Sequence, residues 1–461
     1  MSLIHRVLLA ALVLWAGPHA AADTETGPWR LASAAKLPQW LHLAGTHRIR
    51  YETLDGQFRA GRGGGDQTLA LRTTFLAELR GEALRAGVEM VDSRGYFNDA
   101  GSLLNTTLIN PAELLQGYLA WDAEDLLAPG SKSTLRAGRL TIDAGSRRLV
   151  ARNRYRNTIN TFTGVEWQWQ GAGGQLFQTF YTRPVTRKPR GAAALLDNDI
   201  EFDEEADDVR FWGVFYRFAK PDSKRRLELF LYGLDEDDSS DLATRNRELY
   251  TPGLRFWKPK ARGEFDYLLE SVLQFGESRS STSATRDLEH FAHYHHVEVG
   301  YSFAARYAPR VVLRYDYASG DDDPTDGDNG RFDTLFGARR FEYGPTGIYG
   351  PFARANLSTP GVRVDFSPAP RVKVFADYRA FWLASSRDAW VAARVVDPAG
   401  ASGRFVAQQI EARLRWEMLP GNLRFEAGAT HLFAGEFIDD APNSPRQGDA
   451  TYLYSALVFT F

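Results

Sequence analysis

Apolar side chains in this chain recur at every second residue, and that two-residue period limits the available folds more than any other feature. In residues 67–80, Leu69, Leu71, Phe75, Ala77 and Leu79 share one parity, while Arg72, Thr74, Glu78 and Arg80 take the other. Val362, Val364 and Phe366 oppose Arg363 and Asp365, and Ile410, Leu414 and Trp416 oppose Glu411, Arg413 and Arg415. Side chains alternate between the two faces of a strand, so each such segment is a strand with one apolar and one charged face. The pattern predicts about eighteen strands, near 41–52, 67–80, 83–93, 114–123, 133–141, 161–170, 174–183, 208–218, 225–234, 249–258, 264–276, 290–304, 308–319, 353–366, 371–384, 404–417, 421–433 and 450–461. Many exceed the usual length of soluble strands and are long enough to cross a bilayer at a tilt.

The links between strands alternate as well. Short ones include Gly81-Glu82, Gly171 to Gly173, Pro259 to Gly263, Ala305 to Pro309, Ser367 to Pro370 and Leu419 to Gly421. Long ones fall near 53–66, 94–113, 142–160, 184–207, 235–248, 277–289, 320–352, 385–403 and 434–449. A transmembrane barrel has short periplasmic turns and long outer loops, whereas a soluble sandwich has no reason to sort its links this way. The expected fold is all-β: a transmembrane antiparallel up-and-down β-barrel of about 18 strands, spanning residues 23–461.

Residues 1–22 join a basic start at Arg6 to an apolar run from Val7 to Trp15 and small residues at Ala20 and Ala22. This is the pattern of a secretory signal peptide, and its apolar run is too short to span a bilayer. The last strand alternates Leu453, Leu457, Phe459 and Phe461 and ends on an aromatic residue. That ending resembles the signal read by barrel-assembly machinery. Together they predict an integral protein of the bacterial outer membrane, with outer-membrane lipid and that machinery as partners.

Composition excludes several classes. With 25% charged residues and a mean hydropathy of −0.36, the chain is no multi-helix membrane protein. Its 13% aromatic content argues against disorder, and the absence of cysteine removes disulfides, thiolate metal sites and cysteine nucleophiles;. A net charge of −3 gives no nucleic-acid footprint;.

Eighteen strands enclose an aqueous lumen, so inward side chains carry function. All but eight of the 55 basic residues are arginine, whose planar fork pairs with carboxylate or phosphate. Strand parity points Arg48, Arg72, Arg314, Arg363, Arg379, Arg413 and Arg415 inward, with Glu166, Asp316, Asp365 and Glu411 as lumen acids. The third long link is denser still: Arg136, Arg139, Arg147, Arg148, Arg152, Arg154 and Arg156 lie within it or at its edge, with Asp143. Folded into the lumen, it would make a positive constriction that selects anions. For any single arginine, the ordinary reading is an ion pair that cross-links a wet barrel.

Other clusters carry less. In His290-Phe-Ala-His293-Tyr-His295-His296, His293 and His295 share a face with Phe291 and Val297, while His296 faces the other way, so the spacing implies an interfacial girdle and not a metal site;. The acidic stretch 321–328 lacks the EF-hand spacing, and it reads as a solvated outer loop, as do 197–208 and 235–241;. Gly61 to Gly65 lacks the context of a phosphate loop. Outward tryptophans such as Trp121, Trp212 and Trp416 read as membrane-interface belts. There is no Gly-x-Ser-x-Gly elbow. No catalytic residue, metal or cofactor is expected.

The stretch GRL…GSRRLVARNRYRNTINTFTGVEW, from Gly138 to Trp167, resembles the signature of the alginate-export family of outer-membrane proteins, as does the acidic loop Ser319 to Gly337. Leu140 stands where that family usually has Gln, and Thr163 where it usually has Asp. The resemblance implies an 18-stranded barrel with an arginine-lined conduit for an acidic polysaccharide. The expected function is therefore an outer-membrane channel for an anionic, uronate-type polysaccharide or small anionic solutes. The alternatives are a porin taking up small molecules and a non-conducting surface-binding barrel.

Overall fold

The protein is seen in a computed structural model that describes residues 27–99, 101–220, 223–238 and 242–461. The expected signal peptide, 1–22, lies outside the described residues.

Eighteen strands build the wall: β1 (Leu41–Asp55), β2 (Asp66–Arg80), β3 (Leu84–Tyr96), β4 (Asn110–Glu124), β5 (Lys132–Leu140), β6 (Phe162–Gln170), β7 (Leu176–Thr186), β8 (Val209–Phe218), β9 (Arg226–Glu236), β10 (Glu248–Lys258), β11 (Phe265–Ser278), β12 (Leu288–Ser302), β13 (Arg310–Ala318), β14 (Leu357–Ala369), β15 (Val372–Trp382), β16 (Phe405–Leu419), β17 (Leu423–Ala434) and β18 (Ala450–Thr460). Each runs antiparallel to the next, and β18 pairs with β1 from Thr46↔Thr460 to Asp55↔Thr451, so the sheet closes on itself. Closure leaves no unpaired edge in the hydrocarbon. All eighteen expected strands are present within a few residues of their predicted limits.

Parity sets the two faces. Leu79, Leu119, Phe265, Leu313 and Ile410 are exposed on the outer wall, where lipid supplies their solvent. Glu52, Glu228, Glu270 and Asp316 alternate with them and are buried inside. At the base, the terminal Phe461 fits over Gly45, where a Cβ would come within 2.4 Å of its ring.

The hydrophobic core lies inside the barrel, in its loop-side half. Phe58, Ile142, Val150, Phe332, Tyr349, Phe352, Trp390 and Phe437 come from connecting segments, and they pack against Phe211, Phe381 and Tyr452 of the wall. Segments 56–65, 141–161, 319–356, 383–404 and 435–449 therefore contribute to the filling of the lumen. This corrects the expectation that the acidic links are wholly solvated. Asp203 and Asp321 are buried, and Asp321 accompanies Asp388, to which Arg331 donates.

Candidate permeation path

The path is shaped by the segment 141–161 between β5 and β6, which turns into the lumen because Ile142, Leu149, Val150 and Ile159 give it an apolar side to bury. Arg147 and Asn153, with φ of 66° and 53°, make its reversals;. Inside, it pairs with a second inward segment. Phe336 N–H donates to Leu149 O (2.9 Å), Ala151 N–H to Phe336 O (3.2 Å) and Ala338 N–H to Arg147 O (3.0 Å). The backbones approach so closely that a Cβ on Gly337 would lie 1.6 Å from Arg148 O, so only glycine fits;.

On one side of the lumen, arginines and carboxylates satisfy each other. Arg148 pairs with Glu270 (2.7 Å) and Glu342 (2.8 Å), and Arg354 donates to Arg148 O (3.0 Å) while pairing with the same Glu342. Arg314 pairs with Asp377, and Arg379 with Asp316 (2.7 Å). Asp316 also accepts from Tyr294 Oη (2.6 Å) and contacts His296 Nδ1 (2.6 Å). Arg340 binds Glu411 (2.7 Å), Arg363 binds Asp365 (3.2 Å) and Arg415 binds Glu426 (2.8 Å). Further round, Arg136 donates to Glu166 (2.9 Å), Arg152 pairs with Glu89 (2.6 Å) and Arg154 with Asp143 (3.1 Å). Arg148, Arg314 and Arg379 are each less than a tenth exposed, so their charge is spent on cross-linking.

The side formed by β1, β2 and β17 differs. Arg48 and Arg72 are ladder partners, and Arg48 and Arg424 both face Val458, so all three occupy one level. None has a carboxylate within salt-bridge distance among the described residues. Arg48 instead donates to Tyr155 O (2.8 Å), Arg156 O (3.0 Å), Arg154 O (3.2 Å) and Asn157 Oδ1 (3.0 Å). Arg72 donates to Arg156 O (2.9 Å) and Arg154 O (3.3 Å). The Nε–H groups of Arg48, Arg72 and Arg424 are buried without a hydrogen-bond partner among the described residues. Arg413 likewise lacks a carboxylate and lies over the Phe375 ring.

The loop side continues this excess. Burial, then the guanidiniums of Arg339 and Arg187, hold Arg156 below the usual arginine range. Arg187 donates to Thr106 O (2.8 Å) and Asn160 Oδ1 (2.9 Å), and Arg339 to Phe352 O (3.0 Å). Every one of these acceptors is neutral. Clustered, desolvated like charges disfavour their own charged forms, and an anion among them relieves that cost.

The expected site residues thus divide. Arg48, Arg72, Arg156 and Arg413 are uncompensated, whereas Arg136, Arg148, Arg152, Arg154, Arg314, Arg363, Arg379 and Arg415 are paired. Arg147 sits half-buried at its reversal. Arg139 is a correction: it shares the outward parity of Leu135 and Ala137 and pairs with Glu113 (2.7 Å) and Glu205 (2.8 Å) beneath residues 187–208, outside the lumen row. His293 and His295 face outward as expected, with His295 Nδ1 3.0 Å from Ser271 Oγ. Sequence reasoning missed Arg187, Arg339, Arg340, Arg354 and Glu342. The one signal available was the apolar density of Tyr343, Ile348, Tyr349 and Phe352 within a supposedly solvated link.

A sequence model of the alginate-export family matches residues 39–449. The chain belongs to that family. No curated protein sequence matches it. Among solved structures it is similar to OccAB1 of Acinetobacter baumannii (12% identity, TM-score 0.58, covering 92% of this chain and 97% of that one). It is similar also to a BenF-like porin of Pseudomonas fluorescens Pf-5 (12%, 0.58, 92% and 99%) and to OccK8 (OprE) of Pseudomonas aeruginosa (12%, 0.57, 91% and 98%). These likenesses concern the fold. With alginate-export membership they make the chain a porin-like outer-membrane barrel in a group of channels, in contact with lipid and built to pass solutes.

Proposed function

We propose that this channel conducts carboxylate-bearing solutes, and that the uncompensated arginines of the β1–β2–β17 side and of the inward loops select them. The observation that carries the reading is Arg48, Arg72 and Arg424 at one ladder level without a carboxylate partner among the described residues. Rings of arginine select anions, and a path must bind strongly enough to admit and weakly enough to release. Neutral carbonyl acceptors keep these guanidiniums oriented without cancelling their charge. A uronate-type polysaccharide presents one carboxylate per sugar and would pass from one guanidinium to the next. The leader 1–22 and barrel-assembly machinery would deliver the chain to the membrane.

A second reading is uptake of small anions, favoured by the inward packing of segments 141–161 and 319–356, which narrows the lumen. Planar-bilayer recording distinguishes the two. Under a KCl gradient the reversal potential should report anion preference. A ladder of oligouronates should block the current with residence times that lengthen with chain length if a polymer is the cargo, and block only as monomer or dimer if small anions are. Cation selectivity, or no block by any uronate, would overturn both.

A further inference from the structure

We infer that Arg48 and Arg72 form an exchange latch: they hold the constriction segment closed through its backbone carbonyls and release it when a carboxylate takes the same guanidiniums. The inference rests on the anion-conduit reading and adds its regulation. The segment has an anchored end and a held middle. Asn157 is the anchor: its Nδ2 donates to Leu108 O (2.8 Å), Leu71 O (3.0 Å) and Arg94 O (3.3 Å), while its own carbonyl accepts from Ser93 Oγ (2.7 Å). Among the described residues, the one other backbone bond of 154–156 is Arg156 N–H to Asn153 Oδ1 (3.4 Å), within the segment, while the Tyr155 ring lies under Arg50 and Arg340 with its Oη 3.3 Å from Tyr452 Oη. The three carbonyls of 154–156 are gripped by Arg48, Arg50 and Arg72. Asn153, in the left-handed region, precedes them as a ready pivot.

Chemistry sets the direction of exchange. A carbonyl offers a guanidinium only a dipole, whereas a carboxylate offers a full charge and two oxygens matched to the fork, and such bidentate pairs are stronger. The two residues differ from Arg50, whose Nε already donates to Glu52 (2.6 Å). Arg48 and Arg72 also carry buried Nε–H groups with no partner among the described residues, so each has a donor in hand before it lets a carbonyl go. Arg48 is only 6% exposed because the segment covers it, and departure of the segment would uncover it to the lumen. An arriving polyanion would thus widen its own path, while chloride, a single atom that cannot fill both arms of the fork, would not.

The chain has no cysteine, so introduced labels are unique. Spin labels at Arg154→Cys, in the held stretch, and Lys132→Cys, on the rigid wall, report the segment's position by pulsed electron resonance. A tetra-uronate should shift and broaden the distance distribution, and a neutral tetrasaccharide should leave it unchanged. In Arg48→Gln/Arg72→Gln the ligand-free distribution should already be displaced, with no further shift on adding tetra-uronate. Should that variant fail to assemble, Arg72→Lys keeps the charge without the fork and should show a smaller ligand-induced shift. An unmoved distribution with tetra-uronate still blocking current overturns the latch and leaves the conduit intact. Absence of both block and anion preference removes the conduit, and the latch with it.

Discussion

Two sides of one lumen use most of their arginines in opposite ways, with Arg50 (paired with Glu52) and Arg413 (over Phe375) as the exceptions. Across β11 to β16, guanidiniums such as Arg148, Arg314, Arg354 and Arg379 each meet carboxylates, and Glu342 serves two of them. Across β17, β1 and β2, Arg424, Arg48 and Arg72 meet none among the described residues, and two of them grip peptide carbonyls instead. Density of arginine is therefore a poor guide to an anion path. What matters is whether the charge is cancelled, because a buried cation bound to a carboxylate is a strut, and one bound to a dipole still attracts.

The largest expected effect comes from breaking the compensated wall. Arg379→Ala takes from buried Asp316 its guanidinium and leaves His296 and Tyr294 as its partners, so it should cost about 3 kcal/mol of stability, the lower end for a broken buried pair;. Denaturant unfolding of the detergent-solubilised barrel reads this, and ion selectivity of the surviving fraction should not change. A selectivity change there would erase the distinction between the walls.

Gly337→Ala comes next. Its Cβ would meet Arg148 O, so the paired segments inside the lumen must separate, at about 1–3 kcal/mol as for an overpacked site;. The expected result is faster proteolysis within 141–161 and noisier current with the barrel itself intact. Unchanged cleavage and conductance would mean the two segments do not depend on each other.

Charge reversal tests the uncompensated wall. Arg48→Glu/Arg72→Glu should lower the anion-to-cation permeability ratio roughly tenfold, equivalent to about 1.4 kcal/mol, whereas the same reversal at the paired Arg415 should change it far less.

The smallest effect is a control away from both walls. Burial, and then Glu113, raises Asp203 to about 6, against 3.8 for a free aspartate. A folded-state value above the unfolded one means that stability is complete below about pH 4 and is lost as pH rises through 6. Residues 187–208 should accordingly show larger amide-exchange protection factors, with the intrinsic pH dependence of exchange divided out, at pH 5 than at pH 7. Asp203→Asn should abolish that difference and leave selectivity untouched.

The wall was legible in the sequence because a strand's two faces meet different solvents, and Leu69 to Leu79 against Arg72 to Arg80 records that directly. The inward turn of residues 141–161 was legible only as arginine density. Pairing was not legible, because Arg148 meets Glu342 and Arg48 meets Arg156 O through contacts far apart in the chain. Arg139 misled for a related reason: alternation assigns it outward, yet its neighbours in sequence made it seem part of the basic loop. Residues 320–352 read as a long outer link, whereas Tyr343, Tyr349 and Phe352 were already reporting burial.

The most direct test is the reversal potential of single channels in a planar bilayer under a KCl gradient, for the unaltered chain and for Arg48→Gln/Arg72→Gln. Anion preference is expected in the first, with most of that preference lost in the second. Cation preference in the unaltered chain, or an unchanged potential in the variant, would contradict the proposed selectivity.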